Sequence, residues 1–139
     1  MRVRELMHTG LETVTPDTSL TKLAKTMREK DIGAVPVATN GKLLGMVTDR
    51  DITVRAVANG KDLSQITAKD VMTKGVVCCR DDDKLRDVIG MMEAKKIRRI
   101  PVTDENDHLV GMVSLGDISS GASRNLSAEV LHAVAAHHS

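Results

Sequence analysis

The sequence predicts an α/β fold made of two copies of one β-α-β-β-α unit, packed as a pseudo-twofold pair. Two observations predict it: an internal repeat that spans most of the 139 residues, and short apolar strands that alternate with amphipathic helices in each copy. A unit of about 55–60 residues is only marginally stable by itself. The two copies are therefore expected to pack against each other and share a core.

The repeat is visible as matching stretches at a nearly constant offset. Ile32–Val37 aligns with Ile97–Val102 at an offset of 65 residues, and Gly45–Asp51 aligns with Gly111–Asp117 at 66. The second copy has one extra residue in its Asp104–Asp107 turn, where a polar loop tolerates an insertion. The predicted division of the chain is a first domain (1–60), a linker (61–67), a second domain (68–121), and a C-terminal helix and tail (122–139).

Local signals place the elements within each copy. The first strand is predicted at Thr13–Thr15 and, in the second copy, at Val76–Cys78. A turn and helix start follow at Pro16–Ser19, and then an amphipathic helix whose apolar positions recur at three-to-four spacing. In the first copy these positions are Leu20, Leu23, Ala24 and Met27.

A hairpin and a second helix complete the unit. Ala34–Ala38 reads as a short strand near a sheet edge because it contains a proline. Asn40-Gly41 is a hairpin-turn signal, Leu43–Thr48 is the return strand, and Asp49–Ala58 begins the second helix.

Composition excludes several functional classes. The 20 Lys and Arg residues balance 19 Asp and Glu residues, which disfavours a nucleic-acid polymer as partner. The sequence has no Phe, Tyr or Trp, so it offers no aromatic platform for stacking. No stretch approaches the roughly 20 apolar residues of a membrane span. The absence of a disulfide framework predicts a cytoplasmic location. The sequence contains no nucleophile–base constellation that would suggest an enzyme.

The repeated residues resemble a known family. Two stretches of the type Ile-Gly-Ala-Val-Pro-Val, each followed by Gly-Met-Val-[Thr/Ser]-x-x-Asp, are similar to tandem CBS domains, also called a Bateman module, over about residues 3–120. The resemblance implies a stand-alone regulatory pair that forms homodimers and signals to an unidentified protein. It also implies an adenosine-containing ligand in clefts between the copies: AMP, ADP, ATP, S-adenosylmethionine or NAD. No cofactor is obligatory, and Mg²⁺ would arrive only with ATP.

A hydroxyl and a carboxylate recur at the start of each second helix. In the family these positions, Thr48 and Asp51 in one copy and Ser114 and Asp117 in the other, contact the nucleotide. An aspartate can accept both ribose hydroxyls, and a helix N-terminus favours phosphate oxygens. The same spacing is close to a capping box, which only starts a helix.

A basic pair distinguishes the two copies. Arg98 and Arg99 precede the second proline-containing strand and could clamp a phosphate. Alternatively, they belong to a solvated basic helix end. The first copy has Gly33 and Ala34 at these positions, so the two sites are expected to be unequal.

The remaining candidates are weaker. Thr15 is a family nucleotide contact or an ordinary turn hydroxyl, and its equivalent Arg80 adds phosphate charge or pairs with a nearby aspartate. Adenine is expected to contact aliphatic residues of the proline-containing strands. These are Val35, Pro36, Ile100 and Pro101.

Two alternative functions stay open. The pair could be a ligand-free scaffold for dimerisation and docking, with its aspartates acting only as caps. It could also be redox-responsive through Cys78 or Cys79. The simpler interpretation is that both are ordinary strand residues, one buried in the core and one facing outward. Neither the aspartates at 81–83 nor the scattered histidines have the spacing of a metal site, so none is predicted.

Overall fold

The computed structural model describes residues 1–121 and Ala135. It has a mixed α/β architecture with two three-stranded sheets and flanking helices, which confirms the predicted fold class. The chain divides into two compact units. We call Glu12–Val76 the middle unit, and Met1–Leu11 together with the chain from Val77 onward the terminal unit. Apart from Ala135, the predicted C-terminal helix and tail at 122–139 lie outside the described residues.

The middle unit contains one antiparallel sheet in the order β1-β2-β3. Its elements are α1 (Leu20–Lys30), β1 (Ala34–Thr39), β2 (Lys42–Thr48), α2 (Asp49–Asp51) continued by a π-helix (Ile52–Val57), a 3-10 turn (Leu63–Gln65), α3 (Ala68–Val71) and β3 (Thr73–Lys74). The predicted helix, hairpin and second helix are thus present.

Local chemistry explains the boundaries of these elements. The Ser19 hydroxyl accepts a hydrogen bond from the Lys22 N–H at 3.2 Å and caps α1. Asn40 and Gly41 both have positive φ, 53° and 80°, as a two-residue hairpin turn requires. Of the apolar positions predicted for α1, Ala24 is exposed.

The terminal unit contains the sheet β4-β5-β6, with β4 parallel and β6 antiparallel to β5. Its elements are a 3-10 turn (Val3–Glu5), β4 (Cys79–Arg80), α4 (Leu85–Lys95), β5 (Arg99–Thr103), β6 (Leu109–Ser114) and α5 (Leu115–Gly121).

The first strand of each copy is shorter than predicted. Thr13–Thr15 is reduced to a single parallel bridge between Val14 and Val37, and the strand predicted at Val76–Cys78 is wrong because β4 begins at Cys79. The reason is the proline of the neighbouring strand. In the first copy, the Pro36 carbonyl accepts a hydrogen bond from the Val14 N–H at 3.1 Å. Pro36 has no N–H of its own, so the strand pairing cannot continue to residues before Val14.

The segment that leads the second repeat belongs to the middle unit. The Ala68 N–H donates to the Thr18 carbonyl at 2.8 Å, and the Lys69 N–H donates to the Pro16 carbonyl at 3.0 Å. The Leu20 N–H donates to the carbonyl of Ile66 at 3.0 Å. Ile66 is 5 % exposed, so part of the predicted linker packs in a core.

The segment that leads the first repeat belongs, in the same way, to the terminal unit. The Val3 N–H donates to the Asp83 carbonyl at 3.0 Å, and the Arg4 N–H donates to the Asp81 carbonyl at 2.9 Å. The Leu85 N–H donates to a carbonyl of the same segment, at Met1. The compact units therefore exchange leading segments relative to the repeats.

Each unit has its own hydrophobic cluster. The wholly buried side chains of the middle unit include Leu23, Val35 and Val47, whereas those of the terminal unit include Val3, Ile89 and Ile100. The described buried residues thus form one cluster in each unit.

One glycine in each unit lets the leading segment approach the sheet. A Cβ on Gly45 would lie 2.6 Å from the Thr73 carbonyl oxygen and 3.0 Å from the sulfur of Met72. A Cβ on Gly111 would lie 2.8 Å from the sulfur of Met7. Glycine is required because two backbones meet at these points.

We expect Gly45→Ala and Gly111→Ala to lower the free energy of unfolding by about 1–3 kcal/mol, because overpacking forces the backbone to shift. Gly45→Ala should cost more, since its closest neighbour is a backbone oxygen and not a flexible side chain. Denaturant unfolding followed by far-ultraviolet circular dichroism measures both.

The control for these variants is Gly90→Ala. Gly90 lies within α4 with no atom near its Cβ position, so alanine should stabilise the protein by about 0.5–1 kcal/mol. Unchanged stability in Gly45→Ala would contradict the close approach.

Candidate functional site

The candidate site of the middle unit is a reciprocal capping box at the end of β2. The Thr48 N–H donates to Oδ2 of Asp51 at 2.8 Å, and the Asp51 N–H donates to the Thr48 hydroxyl at 3.1 Å. The capping alternative from the sequence is therefore realised in the geometry. The capping bond leaves Oδ1 of Asp51 available for other groups.

The second oxygen of Asp51 faces two further groups. Oδ1 lies 3.5 Å from the Thr73 hydroxyl and 3.8 Å from Nε of Arg55. The Arg55 guanidinium is held in place because its Nη1 donates to the carbonyls of Val71 and Met72, at 3.2 and 2.9 Å. The Asp51 side chain is 14 % exposed, so this ion pair is partly shielded from solvent.

The terminal unit repeats the capping box with fewer partners. The Ser114 N–H donates to Oδ2 of Asp117 at 3.1 Å, and the Asp117 N–H donates to the Ser114 hydroxyl at 3.1 Å. Within residues 1–121 and Ala135, Oδ1 of Asp117 has no hydrogen bond and no ion pair. Among the described residues, that oxygen therefore keeps both of its acceptor positions without a partner.

The basic pair lies beside this second capping box. Arg99 is directly opposite Ser114 in the β5–β6 register, and the Leu115 N–H donates to the Arg98 carbonyl at 3.0 Å. Residues directly opposite in an antiparallel pair share a sheet face, with Cβ atoms about 5 Å apart. Both arginines are exposed, and neither forms an ion pair with any residue that the structure describes.

The corresponding positions of the middle unit, Gly33 and Ala34, have no charge, and a carboxylate lies beside them. The Asp49 N–H donates to the Gly33 carbonyl at 3.0 Å, and a Cβ on Gly33 would lie 3.2 Å from the Asp49 carboxylate. Where the terminal unit has two guanidinium groups, the middle unit thus has a carboxylate against a glycine. A phosphate is disfavoured there by charge repulsion.

Thr15 is part of a local turn. Its N–H and its hydroxyl both contact the Thr18 hydroxyl at 3.1 Å, which is the ordinary role of a hydroxyl in a turn. The Val14–Val37 bridge places Thr15 at the end of β1 that lies far from Thr48, because Thr48 pairs with Ala34. Thr15 and Thr48 are not brought together within this unit.

The residues expected around adenine are buried. Val35 and Ile100 are 0 % exposed and belong to the two core clusters, so their side chains offer no surface to a ligand. Pro36 and Pro101 are also buried. Because side chains alternate along a strand, each lies on the sheet face opposite to that of the preceding Val35 or Ile100. The family resemblance identified the strands but did not distinguish core positions from exposed ones.

Arg80 lies at the other end of β5 from Arg99 and is already paired. Its guanidinium contacts Oδ1 of Asp107 at 2.9 Å and also the Asp104 carbonyl. A cleft of about 510 Å³ opens beside it, and its lining is predominantly acidic. The lining residues are Arg4, Arg80, Asp81, Asp82, Asp104, Glu105 and Asn106. This placement separates Arg80 from the capping box, and the acidic lining disfavours an anionic ligand.

The two cysteines differ in environment. Cys79 packs in the terminal-unit core and is 3 % exposed, whereas Cys78 is half-buried. Burial raises the pKa of the Cys78 thiol above its ordinary value, and burial with the nearby Asp83 carboxylate raises the pKa of Cys79 to about 12. Such thiols form little thiolate near neutral pH, which disfavours the redox alternative.

Within the described part of the chain, no group of three or more histidine, cysteine or acidic side chains is arranged to hold a metal ion. None of the described helices has the length and apolar composition needed to cross a bilayer. His132, His137 and His138 lie outside the described residues.

Sequence reasoning missed three residues near the site: Arg55, Thr73 and Asp49. Arg55 follows Asp51 at the i,i+4 spacing of helical ion pairs, so charge patterning could have indicated it. The positions of Thr73 and Asp49 depend on tertiary pairing, and no local pattern marks them.

Comparison with known proteins identifies the family. The CBS-domain family model matches the chain twice, at residues 3–57 and 68–123. The CBS domain-containing protein YhcV of Bacillus subtilis is 38 % identical over 126 residues, which cover 91 % of this chain and 89 % of that protein. The chain belongs to the CBS-domain family and is a tandem CBS pair.

Solved structures support the same assignment. Hypoxic Response Protein I, crystallised with two coordinated zinc ions, is 33 % identical with a TM-score of 0.80, covering 88 % of this chain and 100 % of that one. CBSX2 in complex with AMP is 25 % identical with a TM-score of 0.77, covering 92 % and 98 %. A CBS pair is a regulatory module that often binds adenosine ligands.

The burial of the two thiols predicts different reaction rates. With iodoacetamide at pH 8 we expect Cys78 to be alkylated slowly and Cys79 only when the terminal unit opens, because both folded-state pKa values are raised and Cys79 is in the core. Mass spectrometry of labelled peptides over time measures the two rates.

Raising the pH through the elevated pKa of Cys78 should speed its labelling, since the thiolate reacts. Protein unfolded in guanidinium is the control, and both cysteines should then react alike. Equal rates for Cys78 and Cys79 in the native protein would contradict the described burial.

Proposed function

We propose that this CBS pair binds an adenine nucleotide through the terminal unit and transmits the binding to a partner protein. Asp117 accepts the ribose hydroxyls, the Ser114 hydroxyl contacts the ribose or phosphate, and Arg99 with Arg98 binds the phosphate. The ligand class is AMP, ADP or ATP, and ATP would bring its own Mg²⁺. S-adenosylmethionine and NAD share the adenosine group and are the competing ligands.

The observation that carries this proposal is the position of the basic pair. Arg99 is opposite Ser114, Arg98 binds the start of α5 through its carbonyl, and neither guanidinium is paired within the described residues. Two exposed cations beside a carboxylate that has a vacant oxygen suit a ligand with both hydroxyl and phosphate groups. The AMP complex of CBSX2 supports the same ligand class.

The two repeats are unequal in this proposal. The Asp49 carboxylate next to Gly33 repels a phosphate, whereas Arg98 and Arg99 attract one. The adenine ring contacts aliphatic side chains, because the sequence has no aromatic residue.

The scaffold alternative has a specific observation in its favour. Both candidate aspartates already serve as helix caps, and the same capping box occurs at Thr67 and Asp70, where the sequence suggests no ligand. A pair that only docks partners would use all three aspartates in this way. The homodimer implied by the family resemblance is compatible with either function and stays a prediction.

Asp117→Asn tests the ribose contact, because asparagine can still accept the Ser114 N–H but carries no charge. We expect AMP affinity, measured by calorimetry, to fall about ten- to a hundredfold, as for a lost charge-assisted hydrogen bond. The free energy of unfolding should change by less than about 1 kcal/mol.

Asp70→Asn is the matched control, since Asp70 accepts the Thr67 N–H at 2.9 Å in an equivalent capping box. It should leave AMP affinity unchanged. Loss of stability in both variants without any AMP affinity in the wild type would support the scaffold and contradict the nucleotide site.

Arg99→Gln tests the phosphate contact. AMP affinity should fall about tenfold or more while adenosine affinity stays the same, because only AMP has a phosphate to lose. Lys95→Gln removes an equal charge from the nearby end of α4 and serves as the control. Equal losses from both variants would mean that general charge, and not a direct contact, attracts the ligand.

A further inference from the structure

We propose that Arg55 and Thr73 withhold Asp51 from ligand, which leaves Asp117 as the single ribose-binding carboxylate of the chain. This inference rests on the proposed function and extends it, because it assigns residues that determine which repeat binds. Phosphate binding depends on the charges at Asp49 and Arg99, whereas ribose binding depends on the acceptor positions of Asp51 and Asp117.

The acceptor positions of Asp51 determine whether it can bind a ribose diol. A carboxylate has about four lone-pair positions, and a ribose diol needs two of them. Asp51 gives one to the Thr48 N–H at 2.8 Å, and its other oxygen faces the Thr73 hydroxyl at 3.5 Å and Arg55 at 3.8 Å. A diol would therefore share Oδ1 with a hydroxyl and a cation that the protein already supplies.

Two backbone carbonyls anchor Arg55 beside Asp51. Its Nη1 donates to the Val71 and Met72 carbonyls at 3.2 and 2.9 Å, so the guanidinium does not need a ligand to hold it beside Asp51. These carbonyls belong to the leading segment of the second repeat, which also brings Thr73 to Asp51. The Arg55 side chain is 45 % exposed but anchored, and the Asp51 carboxylate that it faces is 14 % exposed. A neutral diol competes poorly with an anchored cation for that carboxylate.

The terminal unit has different residues at the positions that correspond to Arg55 and Thr73. The repeat alignment puts Gly121 at the position of Arg55 and His8 at the position of Thr73. Gly121 has no side chain, and the only hydrogen bonds of His8 in the described residues are backbone bonds with Met112 at 2.8 and 3.0 Å. Asp117 consequently keeps one oxygen without a protein partner among the described residues.

The test counts adenosine molecules bound per chain by equilibrium dialysis with radiolabelled adenosine. Adenosine is used because it has no phosphate and is therefore insensitive to the charge of Asp49. We expect one site in the wild type, none in Asp117→Asn, two in Arg55→Met, and one in the double variant of Arg55→Met with Asp117→Asn. A merely structural role of Arg55 would not add a site.

Two further variants separate charge from folding. Arg55→Gln removes the charge but keeps an amide donor for the two carbonyls, and it should also bind two adenosine molecules per chain. It replaces Arg55→Met in the test if circular dichroism shows that Arg55→Met is unfolded. Arg55→Lys keeps the charge and should still show one site.

The outcomes distinguish this inference from the proposed function. One Asp117-dependent site in every Arg55 variant would overturn the inference and leave the function standing. Two sites in the wild type, or a second site in Arg55→Lys, would also overturn it. No adenosine or AMP binding in any variant would overturn the proposed function itself.

Discussion

The backbone hydrogen bonds between each leading segment and the opposite repeat are the interaction on which the rest of the structure depends. Through them Val3 and Ala68, both 0 % exposed, enter the cores of the units that they complete. The close approach is possible only because Gly45 and Gly111 have no Cβ at the contact. Neither repeat has its full set of core residues without a segment from outside it.

This exchange also determines what surrounds each candidate site. The leading segment pairs with the strand that ends in the capping box, through Thr73 and Met46 in one unit and His8 and Met112 in the other. The same backbone arrangement brings the Thr73 hydroxyl to Asp51 and two carbonyls to Arg55. Among the described residues, Asp117 has no comparable partner. Two nearly identical scaffolds acquire different chemistry from a few side chains.

Local signals in the sequence predicted much of the fold. Asn40-Gly41 specified its turn through positive φ, Ser19 specified a helix start, and the repeat indicated two equivalent sheets. The exchanged segments could not be predicted, because the sequence pattern of a 65-residue repeat is the same whether a leading segment packs on its own copy or on the other. Strand lengths were wrong because Pro36 and Pro101 limit the ladder from across the sheet.

The site was predictable as a set of motifs but not as a set of contacts. The hydroxyl–carboxylate pairs are adjacent in sequence, so their capping geometry follows from spacing. The pairing of Arg80 with Asp107, and of Arg55 with the Val71 carbonyl, joins residues 16 or more positions apart that only the tertiary fold brings together. These distant contacts make one arginine unavailable and the two sites unequal.

In the function that we propose, one repeat of this CBS pair binds an adenine nucleotide and the other does not. Calorimetric titration of AMP into wild-type protein stripped of nucleotide tests it most directly, with protein concentration taken from peptide absorbance because the chain has no Trp or Tyr. We expect saturable binding of one AMP per chain. Two equivalent sites per chain, or no binding of AMP, would contradict it.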